Sequence, residues 1–137
     1  MDPSPTKPWW RRWFGTRSER SALRFLKQLG YRILARNYTC PLGEIDIVAL
    51  DGSCVVFVEV RSTENDTADS AAASVDTRKQ QRLTRLALQY LQKNRLLEQR
   101  ARFDVLTISW PQGQKKPTIT HLPSAFEARG GKHQFYC

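Results

Sequence analysis

Two apolar runs with strand periodicity dominate the middle of the chain, and the pair Asp51-Gly52 between them is a strong hairpin signal. Strand side chains point to alternate faces, so Glu44, Asp46, Val48 and Leu50 share one face of the first run. In the second run Val55, Phe57, Glu59 and Arg61 share one face, and Val56, Val58 and Val60 share the other. Paired as a hairpin in suitable register, the two runs bring Asp46 beside Glu59, with Arg61 further along the same face. The stretch from Val55 to Val60 is almost continuously apolar, the pattern of a strand covered on both sides.

Around this hairpin the periodicity switches to helical spacing twice. Thr16-x-x-Glu19 reads as a capping box opening a helix whose apolar face is Ala22, Leu23, Phe25, Leu26 and Leu29, with Gly30 as its C-terminal cap. Tyr31 to Tyr38 reads as a strand, and Pro41-Leu42-Gly43 turns into the hairpin. Thr63 to Ser74 is polar and reads as a loop, either an ordinary surface loop or one on the substrate side of the hairpin. A second helix is expected from about Val75 to Lys93, buried along Leu83, Leu86, Ala87, Tyr90 and Leu91. Ala101 to Ser109 is a further strand, Thr118 to Leu122 a short one, and Pro123-Ser124-Ala125-Phe126 a closing turn. The order helix, three strands, helix, two strands implies an α/β fold with a mixed central sheet flanked by helices. Residues 1–15 read as a basic and aromatic tail, 16–126 as the folded domain, and 127–137 as a frayed end.

Composition narrows the partners. The chain of 137 residues carries 22 Lys and Arg against 13 Asp and Glu, a net charge of +9 that points to a polyanion, nucleic acid before acidic membrane. Cys40, Cys54 and Cys137 show no Cys-x-x-Cys spacing, so no disulfide framework or zinc ribbon is expected, and reduced thiols in the cytoplasm fit best. His121 and His133 lack metal-ligand spacing, and no apolar run is long enough to form a transmembrane helix. Trp9, Trp10 and Trp13 stand beside Arg11 and Arg12, without the apolar core or cleavage site of a secretory signal. That tail can pack on the domain or stay disordered, stack on bases, or lie at a membrane interface.

Glu59 is the residue least suited to its surroundings, because removing a carboxylate from water costs several kcal/mol unless a partner compensates, on the order of 3–5 when unpaired. Either an ion pair of Arg61 with Glu59 or Asp46, or a divalent-metal site built from the two carboxylates, supplies that partner. Lys79 falls on the Leu83, Leu86 and Tyr90 side of the second helix, reaching inward over the sheet or snorkelling to water. Arg78, Arg82 and Arg85 line another side, either as a solvated face or as a ridge for phosphate contacts. Glu19 sits in a first helical turn, where the helix dipole favours an acid.

Gly43-Glu44-Ile45-Asp46 followed by Val58-Glu59-Val60-Arg61 resembles the core of the PD-(D/E)xK nuclease fold, specifically the small bacterial YraN-like family. The likeness extends over Ser18 to Ala22, Gly30 to Asn37, Lys79 and Arg102-Phe103-Asp104-Val105, covering roughly residues 17–126. It implies a restriction-endonuclease-like core and a relation to Holliday-junction resolvases, which act as homodimers. The implied activity is metal-dependent hydrolysis of DNA, with Asp46 and Glu59 holding Mg²⁺ or Mn²⁺ and Glu19 a further contributor to the metal site. The motif places a lysine where this chain has Arg61, which stays protonated and cannot act as a general base. Arg61 can instead clamp a phosphate, and Lys79 is the candidate substitute for the lysine. A DNA-binding module without catalysis on the same fold is the alternative.

Overall fold

The computed structural model describes residues 9–63, 75–111 and 115–128, the side chains of 9–16 and of residue 63 excepted. Most of the polar loop after the hairpin, the tryptophan side chains of the N-terminal tail, and the last residues of the C-terminal tail lie outside what is described. Among the described residues the chain forms α1 (Trp9–Gln28), β1 (Arg32–Cys40), β2 (Gly43–Asp51), β3 (Cys54–Thr63), α2 (Thr77–Lys93), β4 (Ala101–Ser109) and β5 (Thr118–Phe126). The strands make one sheet in sequential order, antiparallel except where β3 and β4 run parallel. A parallel pair needs a crossover, and α2 lies in it. The mixed sheet flanked by helices is the α/β architecture that the periodicity implies, with β3 at its centre.

Each helix covers one face. Ala22, Leu23 and Leu26 of α1 share a buried cluster with Ile47, Ala49, Val56, Val58, Leu106 and Ile108. Leu83, Leu86, Ala87, Tyr90 and Leu91 of α2 share the other with Val48, Val55, Phe57, Phe103 and Val105. The alternation read from β3 is therefore real: Val55 and Phe57 face α2, and Val56 and Val58 face α1. Along β2 the alternation holds from Ile47 to Leu50 but breaks at Ile45, which joins Val48 on the α2 side. The break coincides with the end of the β2–β3 ladder, whose last pair in this direction is Ile47 with Val58.

The hairpin turn is two residues long, Gly52 and Ser53, closed by the pair Asp51–Cys54, with Gly52 at φ +61°. Gly43 opens β2 at φ +141°, and a Cβ there would touch Leu86 and Arg82 of α2, so both conformation and packing call for glycine. α2 is capped by Asp76, whose carboxylate accepts from the Lys79 amide at 2.8 Å.

Three expectations need correction. α1 begins at Trp9 rather than at the Thr16 capping box, because residues 9–14 carry no helix breaker and Gly15 within a helix costs only about 1 kcal/mol. β5 continues through the expected closing turn to Phe126, with a register shift between Phe103 and Val105 of its partner. An edge strand tolerates the Pro123 that would end a central one. Cys54 is disulfide-bonded, against the expectation of reduced thiols, whereas Cys40 is a free thiol. The absence of motif spacing argues against frameworks, but it carries no information about a single link made by tertiary proximity.

Candidate active site

The candidate site lies near the carboxyl end of β3, beside the first turn of the crossover helix. In open α/β sheets, ligands bind outside the carboxyl ends of parallel strands. One step beyond the last β2–β3 pair, the register would set Asp46 opposite Glu59. The Asp46 side chain here accepts the Val60 amide at 2.9 Å, so the backbone group next to Glu59 is satisfied by a carboxylate. Both acids are buried, Asp46 at 7% and Glu59 at 5% exposure.

Two cations meet them. Lys79 Nζ of α2 donates to Glu59 Oε1 at 2.9 Å, and Arg61 Nε stands 3.7 Å from the same oxygen. Burial, followed by repulsion from Asp46, raises the Glu59 carboxyl above its ordinary range, against the opposing pull of Lys79 and Arg61. Arg61 Nε is buried and makes no hydrogen bond among the described residues. A buried N–H without an acceptor is costly, and an anionic oxygen arriving at this site would satisfy it.

The sequence-derived residues thus divide into groups. Asp46, Glu59, Arg61 and Lys79 converge. Glu19 does not join them: its carboxylate accepts from the Asn37 amide nitrogen at 3.2 Å on both oxygens, and Arg36 lies 3.9 Å away. α1 packs on the opposite face of the sheet from α2, and this separates Glu19 from the Lys79 side. Among the described residues no group of three or more Asp, Glu, His and Cys side chains is arranged to hold a metal ion. Arg78, Arg82 and Arg85 are all exposed along α2.

The oxygen-only pair Asp46 and Glu59 nevertheless suits a hard divalent cation, which prefers carboxylate and carbonyl donors. Two buried acids side by side, one with a raised proton affinity, make a site whose charge a cation relieves. Lys79 fills that electrostatic role in this structure.

Sequence reasoning passed over a third buried acid. Asp104, fully buried, accepts from Arg102 Nε at 3.0 Å and from the Ser124 amide at 3.0 Å, and lies 2.7 Å from His121 Nε2. Arg102 also donates to Asp51 and to the Tyr31 hydroxyl. Although burial disfavours its charge, the hydrogen bonds from His121, Arg102 and Ser124 hold Asp104 below the ordinary carboxylate range. The signal was the one that exposed Glu59, an acid inside an apolar strand. A further cluster joins α1 to the sheet near the site: Ser62 Oγ donates to Ser18 Oγ at 2.7 Å, and Trp110 Nε1 donates to Ser18 Oγ at 3.0 Å.

The model of an uncharacterised protein family, UPF0102, matches residues 18–108, which contain every residue of the carboxylate and cation cluster. The chain belongs to the uncharacterised protein family UPF0102. A UPF0102 protein of Syntrophus aciditrophicus is 42% identical over 119 residues, covering 86% of this chain and 91% of the relative. One from Moorella thermoacetica is 47% identical over 116 residues, covering 85% and 97%, and one from Pseudomonas aeruginosa is 41% identical over 115 residues, covering 83% and 92%. The family's extent takes in α1 from Ser18, the hairpin, α2 and nearly all of β4. Among the described residues no helix is long and apolar enough to cross a membrane.

Proposed function

We propose that the protein is a divalent-metal-dependent endonuclease that hydrolyses phosphodiester bonds of DNA in the cytoplasm, branched DNA included. The observation that carries this reading is the juxtaposition of buried Asp46 and Glu59 with Lys79 and Arg61 at the carboxyl end of β3. Asp46 and Glu59 hold the Mg²⁺ or Mn²⁺, which when bound supplies Lewis-acid activation of water and charge neutralisation. Lys79 orients the attacking water, taking the place of the lysine that the nuclease motif has where this chain carries Arg61. Arg61, permanently charged, offers its unpartnered Nε–H to a phosphate oxygen and stabilises charge in the transition state. The exposed Arg78, Arg82 and Arg85 contact the backbone away from the scissile bond.

The test is cleavage of supercoiled and four-way-junction DNA with Mg²⁺, Mn²⁺ or chelator. Wild type cuts only with metal, Asp46→Ala and Glu59→Ala do not cut, and Lys79→Ala slows the reaction about 10²-fold or more. Cleavage without metal, or cleavage that survives both carboxylate changes, rejects the proposal.

One observation favours a second reading, a DNA-binding module without catalysis: Lys79 already compensates Glu59, and Arg61 supplies no base. Salt-sensitive DNA affinity that survives Asp46→Ala, with no cleavage at any metal concentration, would select it.

A further inference from the structure

The outward face of α1 carries a basic ridge that sequence reasoning left aside. From Arg17 to Gln28 the exposed residues are Arg17, Arg20, Arg24, Lys27 and Gln28. At about 100° per residue the four cations fall within about 80° of arc, opposite the buried Ala22 and Leu26. The acid on this stretch, Glu19, is turned away and occupied by Asn37 and Arg36. Among the described residues neither Arg20, Arg24 nor Lys27 pairs with an acid. The Arg17 guanidinium lies over the Trp110 ring, 3.6 Å from its centroid, while that indole is bonded to Ser18. The end of the ridge nearest the candidate site is therefore fixed to the sheet.

We infer that Arg17, Arg20, Arg24 and Lys27 form a nucleic-acid backbone-binding surface, separate from the arginines of α2. The ridge is about 15 Å long, at about 1.5 Å per residue. A duplex carries phosphate charge along its whole length, so a ridge of this length faces more than one phosphate. Four like charges on one face repel one another, and a polyanion relieves that repulsion. Because α1 and α2 cover opposite faces of the sheet, the two ridges serve separate stretches of backbone. The inference rests on nucleic acid as the partner, as the proposed function does, but not on cleavage.

The test is fluorescence anisotropy of the full chain with a labelled DNA duplex, in chelator to suppress any cleavage, across a sodium chloride titration. The variant Arg20→Gln/Arg24→Gln/Lys27→Gln keeps good helix formers and leaves the Arg17–Trp110 contact in place. It should weaken binding at least tenfold and lower the slope of log affinity against log salt by up to about 2.7, or about 0.9 per phosphate contact. The single variants, each expected to lower the slope by up to about 0.9, read the same quantity if the triple variant misfolds. Unchanged affinity and slope in a folded triple variant overturn the inference while leaving nuclease activity free to be present. Loss of binding to phosphatidylglycerol vesicles with DNA binding intact overturns it too, assigning the ridge to a membrane. Wild type that binds no duplex overturns both readings. Ridge-dependent binding here, together with no cleavage when Mg²⁺ or Mn²⁺ is supplied in the cleavage assay, upholds the inference and rejects the nuclease.

Discussion

Glu59 concentrates the chemistry of this molecule, since it is a buried acid repelled by one neighbour and held by two others. Its folded-state proton affinity is raised, so between the ordinary value of 4.5 and that raised value the folded protein binds more protons than the unfolded chain. The share of stability that Glu59 contributes therefore falls as pH rises through this window. Glu59→Gln should remove that dependence and leave the protein as stable at neutral pH as wild type, or about 1–2 kcal/mol more stable. Urea denaturation of both proteins over a pH series checks this, and a large loss in the variant would mean that the Lys79 bond outweighs the burial. Lys79→Ala does the reverse. It leaves Glu59 beside Asp46 without its closest cation and should cost about 1–3 kcal/mol at neutral pH, with part recovered on acidification as Glu59 takes up a proton. The same denaturation series measures it.

The elements are tied together by polar links that their own periodicities do not contain. β4 and β5 are joined through Asp104, whose lowered proton affinity makes the opposite contribution to that of Glu59. Its stabilisation is present above the ordinary value of 3.8 and is lost as pH falls through the lowered folded-state value. Asp104→Asn should cost about 3–5 kcal/mol at neutral pH, because it removes the buried charge that Arg102 and His121 meet and leaves the partly buried Arg102 with Asp51 as its remaining acid. It should also flatten the acid limb of a plot of stability against pH, and thermal melts between neutral and acid pH read both effects. The apolar spacing of α2, the hairpin and the central β3 were legible in the sequence because periodicity is a local property. The start of α1 and the length of β5 were not. A helix end without a breaker depends on what it packs against, and an edge strand accepts a proline that a central strand would reject.

At the scale of the whole molecule, the sheet separates two charged surfaces. Exposed arginines of α2 lie on one side, and the basic ridge of α1 lies on the other. The edges are protected against pairing with other chains by Arg32 and Arg36 on β1 and by Pro123 on β5. A metal that binds only the folded state stabilises the whole domain, so Mn²⁺ at about 100 times its dissociation constant should add about 2.7 kcal/mol and raise the melting temperature by several degrees. The shift should grow with pH as Glu59 gives up its proton, and it should be absent in Asp46→Ala. Differential scanning calorimetry with and without Mn²⁺ checks it, and an equal shift in the variant would place the metal elsewhere.

The sequence by itself determined the α/β class, the hairpin and the register that sets Asp46 opposite Glu59, because pairing across a tight turn is a local property, whereas the strict alternation read along β2 does not hold as far as Ile45. It also put Lys79 on the inward side of its helix. Tertiary structure decided what each charged group meets. Lys79 reaches Glu59 because the crossover lays α2 over the end of β3, and Glu19 stays with Asn37 because α1 packs on the opposite face. Asp104 and Arg102 of β4, His121 of β5, Asp51 of β2 and Tyr31 just ahead of β1 are brought into one network only by the assembled sheet. Charge pairing across elements is a property of distance in space, which periodicity along the chain does not encode.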